Sequence, residues 1–92
     1  MKLIYSQDAL EDLTRLRAFI AKKNPAAASR IASELLARIT QLCDFPEIGR
    51  PVRLAPDPST VRDMVFGKYI IRYTLGEDLL IVLRVWHHRE DR

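Results

Sequence analysis

Only one cysteine, Cys43, occurs in the 92 residues, so no internal disulfide can form and the usage fits a reducing compartment. Long apolar runs are missing too. With 29% of its residues charged, the chain is not expected to span a membrane. The apolar start behind Met1 and Lys2 is broken at Ser6, Gln7 and Asp8, too early for a secretory signal, so a cytoplasmic location is expected. Glycine is scarce, and Gly49, Gly67 and Gly76 belong to no phosphate-binding loop. A CxxC pair, an HExxH run and a serine-nucleophile motif are equally absent. His87 and His88 are the only histidines, and neighbours on an extended chain point to opposite sides, so no metal site and no cofactor are expected.

Charge of one sign is also not in large excess. The net charge is +3 with a pI near 9.4, and residues 1–45 hold seven Lys/Arg against five Asp/Glu, residues 61–92 six against five. No basic tail or stripe results, so strong non-specific binding to nucleic acid is not predicted. A chain this short predicts one domain, 1–92, because two cores would each fall below the size that folds unaided.

What is present is concentrated in the last third. Val61–Phe66, Lys68–Leu75 and Leu79–Trp86 are rich in β-branched, aromatic and aliphatic residues, and Gly67 and Gly76-Glu77-Asp78 punctuate them. This predicts an antiparallel three-stranded meander. Alternation puts Leu79, Ile81, Leu83 and Val85 on one face of the last strand and Leu80, Val82, Arg84 and Trp86 on the other. Tyr69, Ile71, Tyr73 and Leu75 share one face of the middle strand and are expected in the core.

Upstream, Lys2–Tyr5 reads as a first strand joining that sheet, and Ser6 as the cap of a helix whose apolar stripe includes Leu10, Leu13, Leu16 and Ile20, with Phe19 beside it. Asn24-Pro25 ends this helix and starts a second, in which Ile31, Leu35, Ile39 and Leu42 form the stripe. Cys43 falls on that apolar face and is expected to be a buried packing residue. Two helices joined so closely pack as a hairpin, and only the sheet offers a surface to receive both. Pro46–Thr60 holds four of the five prolines and reads as a rigid connection with a short strand near Val52–Leu54. The expected fold is therefore α+β, β-α-α-β-β-β, an antiparallel sheet against an N-terminal helical hairpin.

The candidate chemistry lies at the end of the sheet. Arg62, Arg72 and Arg84 sit on three consecutive strands and, given the right register, line one face that holds a phosphate or an acidic segment. The plainer alternative is that each guanidinium reaches solvent separately. Either His87 or His88 can serve as a general acid or base, or both are simply exposed at a strand end. Trp86 beside this charge is a typical anchor for a protein partner.

Taken together, Asn24-Pro25-Ala26-Ala27, Leu42 followed by Pro46, Gly49 and Arg50, then Arg62, the Tyr69-Ile70-Ile71-Arg72-Tyr73 strand and the closing Arg84-Val85-Trp86-His87-His88-Arg89 form a recognisable combination. Over nearly its whole length the chain resembles the RelE/ParE superfamily of type II toxin–antitoxin toxins, and more closely its ParE branch. The resemblance implies a toxin wrapped by a cognate antitoxin from the adjacent gene, touching operator DNA only through that antitoxin and having no role at a membrane. ParE-like toxins are associated with inhibition of DNA gyrase, RelE-like ones with ribosome-dependent cleavage of mRNA. Under the first reading Arg84, Trp86, His87, His88 and Arg89 contact the target. Under the second, Arg50, Arg62, Arg84, His87 and His88 form the ribonuclease set. The nuclease branch often places a Tyr just beyond its last strand, and no Tyr follows Tyr73 here, which favours the non-enzymatic reading. Leu13, Leu16 and Phe19 are the expected antitoxin contacts.

Overall fold

A computed structural model describes residues 1–56 and 60–90, so Asp57, Pro58 and Ser59 of the proline-rich connection lie outside the described residues. Strand β1 (Lys2–Tyr5) is followed by helices α1 (Gln7–Lys23) and α2 (Pro25–Gln41), then by β2 (Arg50–Pro51), β3 (Val61–Phe66), β4 (Tyr69–Gly76) and β5 (Leu79–His87). Each helix starts where the sequence supplies a cap. The Ser6 hydroxyl accepts from Ala9 N–H at 3.0 Å, and the Asn24 side chain from Ala27 N–H at 3.2 Å, with Pro25 in the first turn where its missing N–H costs nothing. Gly67 (φ 58°) and Asp78 (φ 51°) take the left-handed conformations that the two tight turns demand.

The sheet runs in the order β1-β5-β4-β3-β2. Strands β2 to β5 pair antiparallel, whereas β1 lies parallel to β5, so the sheet is mixed. One face receives the hairpin. Leu16, Leu35, Ile39 and Leu42 meet Ile71, Tyr73, Leu80, Val82 and Val85 there in a core closed to solvent. Burial of these side chains is the main stabilising term, at about 1.5–3 kcal/mol each.

Three local expectations change. The short strand forms at Arg50–Pro51 instead of Val52–Leu54, because the preceding turn is held so tightly that the chain meets β3 at once, and Val52 N–H then closes the pairing on the Val61 carbonyl at 2.9 Å. Pro51 is tolerated on this outer edge. Cys43 lies beyond the end of α2, in a turn where its N–H bonds the Thr40 carbonyl, and is only half-buried.

The third change decides the faces of β5. Arg72 pairs with Arg84 while its neighbour Tyr73 pairs with Val82, so Leu83 is an extra residue on β5, a β-bulge. Past it the alternation reverses. Val85 and His87 join Leu80 and Val82 on the helix side, and Arg84 and Trp86 pass to the uncovered face.

Candidate functional site

Because β1 ends at Tyr5, paired with Val82, the outer edge of β5 from Leu83 onward has no partner strand among the described residues, and its backbone groups must be satisfied some other way. Ser6 closes the pairing and side chains do the rest. Ser6 N–H donates to the Val82 carbonyl at 2.9 Å and the Ser6 hydroxyl to the Leu83 carbonyl at 2.9 Å. The Asp12 carboxylate accepts from Val85 N–H at 2.9 Å, and the Glu90 carboxylate from His87 N–H at 2.8 Å.

Asp12, 1% exposed, is the hub of this edge. It accepts from Arg84 Nε at 2.8 Å and Nη2 at 3.0 Å, and from Arg15 Nη1 at 2.6 Å. Arg15 Nε in turn donates to Glu90 at 2.8 Å, fastening the C-terminal turn to α1. Burial pushes the Asp12 carboxyl up, but hydrogen bonds from Arg84, Arg15 and Val85 N–H outweigh it and hold the group well below the usual carboxylate range.

On the uncovered face, pairing places Arg50, Asp63, Arg72 and Arg84 in one row across β2, β3, β4 and β5. Asp63 takes Arg72 through Nε at 2.9 Å and Nη2 at 3.0 Å, so Arg72 and Arg84 are each held by one two-pronged carboxylate. Arg72 also lies over the Trp86 ring, 5.2 Å from its centroid. Arg62 is not in this row. It pairs with Tyr73 and faces the helices, donating to the Glu47 and Gly49 carbonyls at 3.2 and 2.8 Å. Its place in the expected trio is taken by Arg50.

Arg62 and Tyr73 together hold the 46–49 turn. Tyr73 Oη donates to the Pro46 carbonyl at 2.7 Å and accepts from Gly49 N–H at 2.9 Å. Gly49 fits where no side chain would: a Cβ there would stand 2.7 Å from that hydroxyl and 3.0 Å from the Asp63 carbonyl. The turn displays Phe45 and Ile48, 63% and 64% exposed, and delivers Arg50 to the row.

The histidines separate by burial, not by pointing apart. His87 is 9% exposed, between Phe19 (centroids 5.5 Å apart) and Tyr69 (5.2 Å), and the turn after it folds His88 onto its ring at 4.8 Å. Burial, with His88, Lys68 and Arg89 nearby, lowers the pKa of His87, and its Nδ1 accepts from Arg89 N–H at 3.1 Å. His88 and Arg89 are exposed. So of the residues proposed to touch a target, Arg84, Trp86, His88 and Arg89 reach the surface, and His87 is a packing residue. The ribonuclease set does not come together either, since Arg62 and His87 face the helix side while Arg50 and Arg84 face away from it.

A separate apolar groove of about 210 Å³ runs between the helices, lined by Leu13, Leu16, Arg17, Ile20, Leu35 and Leu36. Of the three residues expected to meet an antitoxin, Leu13 lines this groove half-buried, Leu16 lines it from the core at 1% exposure, and Phe19 lies outside it, its ring against His87 with Lys23 Nζ 5.5 Å from its centroid. Among the described residues no helix is long and apolar enough to cross a membrane.

Residues 3–92 match the model of the family described as ParE toxin of type II toxin-antitoxin system, parDE. The chain belongs to this family. It is 34% identical over 87 residues to Toxin RelE2 of Caulobacter vibrioides, covering 94% of this chain and 93% of that one. Toxin RelE1 of the same organism is 33% identical over 93 residues, covering 98% and 96%. A chain of the structure titled Chromosomal ParDE TA system from P. aeruginosa superposes with a TM-score of 0.80 at 17% identity and 95% coverage of both chains, a likeness of fold. The chain is thus a type II toxin of the ParE/RelE family. Asp12 and Asp63 are site residues that the sequence reading left out, and Arg50 and Arg72 ones that it underweighted. Asp12 carried a weak signal, an acid one position before Leu13 of the apolar stripe.

Proposed function

We propose that this ParE-family chain acts by binding a protein target, with DNA gyrase as that target, and is neutralised by a cognate antitoxin seated in the groove between α1 and α2. The observation that carries this reading is how the cationic groups are engaged. A ribonuclease needs groups free to move a proton at the ribose 2′-hydroxyl and to bind the phosphate. Here Arg84 is held by Asp12, Arg72 by Asp63 and Arg62 by two carbonyls, and His87 is packed between aromatic rings. Such an arrangement suits recognition better than acid–base chemistry. Arg84, Trp86, His88 and Arg89 are the proposed target contacts.

For the antitoxin, the groove lined by Leu13, Leu16 and Leu36 fits the apolar stripe of an amphipathic helix. Operator DNA is reached only through that antitoxin. Ribosome-dependent mRNA cleavage is the second reading, favoured by the names Toxin RelE2 and Toxin RelE1 of two relatives. Purified toxin in a gyrase supercoiling assay, run beside primer extension on translated mRNA, separates the two. Blocked supercoiling or stabilised gyrase-cleaved DNA is expected; unaffected gyrase at excess toxin, with new mRNA cuts, would move the assignment to the nuclease.

A further inference from the structure

We propose that the row formed by Arg50, Arg72 and Arg84 on the uncovered sheet face is a receptor for the carboxylates of an acidic protein segment. This rests on the reading of the chain as a protein-binding toxin and names what that partner must present. Arg72 and Arg84 are directly opposed on adjacent strands, an arrangement of like charges that costs stability unless something compensates. Asp63 and Asp12 supply that compensation in a particular way. Each takes the Nε and Nη2 donors of its arginine, leaving both Nη1 groups without a protein acceptor among the described residues. Both arginine side chains are also more than a third exposed. A free guanidinium edge matches the two oxygens of a carboxylate. Arg50, at the end of the same row, is exposed and has no ion pair among the described residues.

The flanks identify the macromolecule. On one side of the row lie Val65, Ile70 and Trp86, on the other Val61, Thr74 and Ile81. Val65 is 66% exposed. An apolar surface with a cationic centre suits a peptide that alternates acidic and apolar side chains. A nucleic acid fits less well. Asp63 and Asp12 leave the row one net positive charge, whereas a phosphate backbone is bound by accumulated uncompensated cations. The Trp86 ring, against Arg72, is already engaged and is no bare platform for a base.

The test is an NMR titration of the full chain with two probes of equal charge, a short peptide of alternating Asp and Leu and an RNA oligonucleotide. The peptide should shift the Trp86 indole and the amides of Arg50, Asp63, Arg72 and Arg84. Arg50→Glu, a safe substitution for folding because Arg50 is exposed and has no ion pair among the described residues, should weaken the peptide about tenfold, equivalent to about 1.4 kcal/mol. Arg72→Gln should do the same. No shift at the row, stronger shifts with RNA, or undiminished binding by both variants would overturn the proposal. Gyrase assays on the same proteins keep the two questions apart. A peptide that binds the row while gyrase is unaffected supports the receptor and removes gyrase as its target. Gyrase inhibition that survives both substitutions, with peptide binding equally undiminished, overturns the receptor and leaves the gyrase reading in place.

Discussion

Asp12 and Arg84, 72 residues apart in the chain, are joined by two hydrogen bonds of 2.8 and 3.0 Å, and the same carboxylate takes the N–H of Val85. One side chain of the first helix therefore closes the open edge of the last strand and fixes the arginine that the β-bulge turns to the uncovered face. Fold and candidate surface meet at this contact.

Replacing Asp12 should be costly. Asp12→Ala leaves the Val85 N–H and the Arg84 guanidinium without their acceptor and takes from Arg15 one of its two carboxylates, and a loss of about 2–4 kcal/mol is expected, less than for a fully buried pair because both arginines keep solvent contact. The pH dependence has a definite sign. The folded carboxyl is held below its unfolded value of about 3.9, so its contribution is complete above that pH and declines as acid is added. Asp12→Asn should be less stable at neutral pH and lose stability less steeply below about pH 4 in urea melts. A wild-type acid slope retained in Asp12→Asn would contradict this.

The 46–49 turn makes a second prediction. Tyr73→Phe removes the hydroxyl that serves both Pro46 and the buried Gly49 N–H, for an expected loss of about 1–3 kcal/mol. Gly49→Ala places a methyl against the same hydroxyl and should cost about as much through overpacking. In Tyr73→Phe/Gly49→Ala the clash with the hydroxyl is gone, so the double variant should lose less than the sum of the two single losses. Thermal melts of the three proteins check this.

These two clusters also mark what the sequence made legible. Ser6, Asn24-Pro25, Gly67 and the Gly76-Glu77-Asp78 turn act locally, so their patterns set the element order and bounds directly. The resemblance to the superfamily leaned in part on Pro46, Gly49 and Arg50; in the fold Pro46 and Gly49 are held by Tyr73 and Arg62, far along the chain. Strict alternation failed at Leu83, since a bulge on an apolar strand has no composition of its own. That one extra residue put Val85 and His87 on the helix side and turned Arg84 and Trp86 to the uncovered face. Arg62 and Arg50 exchanged places because pairing parity, invisible in single strands, sends Arg62 to the Tyr73 side.

The groove between the helices can be probed without disturbing the core. Leu36 lines it and is 44% exposed, so Leu36→Asp should change stability by no more than about 0.5 kcal/mol. Antitoxin affinity, by contrast, should fall tenfold or more, because a charge would be buried against an apolar helix face. Calorimetric titration of the antitoxin into both proteins reads the difference, and equal affinities would place the antitoxin elsewhere.

His87 should make the protein sensitive to mild acid. The groups facing it are Phe19 from α1, Tyr69 from β4, Lys68 from the β3–β4 turn, and His88, Arg89 and Glu90 from its own turn; burial and the three cationic neighbours disfavour the imidazolium, and only Glu90 opposes them. An unfolded imidazole takes its proton near pH 6.5, so below that value the unfolded chain binds more protons than the folded one, and stability declines until the lower folded pKa is passed. Protonation of Nδ1 also removes the acceptor for Arg89 N–H, loosening the turn that displays His88 and Arg89. His87→Gln should be less stable than wild type at about pH 8, through lost packing, yet lose less on going to about pH 5. Urea midpoints across that range decide it, and an unchanged slope in His87→Gln would assign the sensitivity to another group.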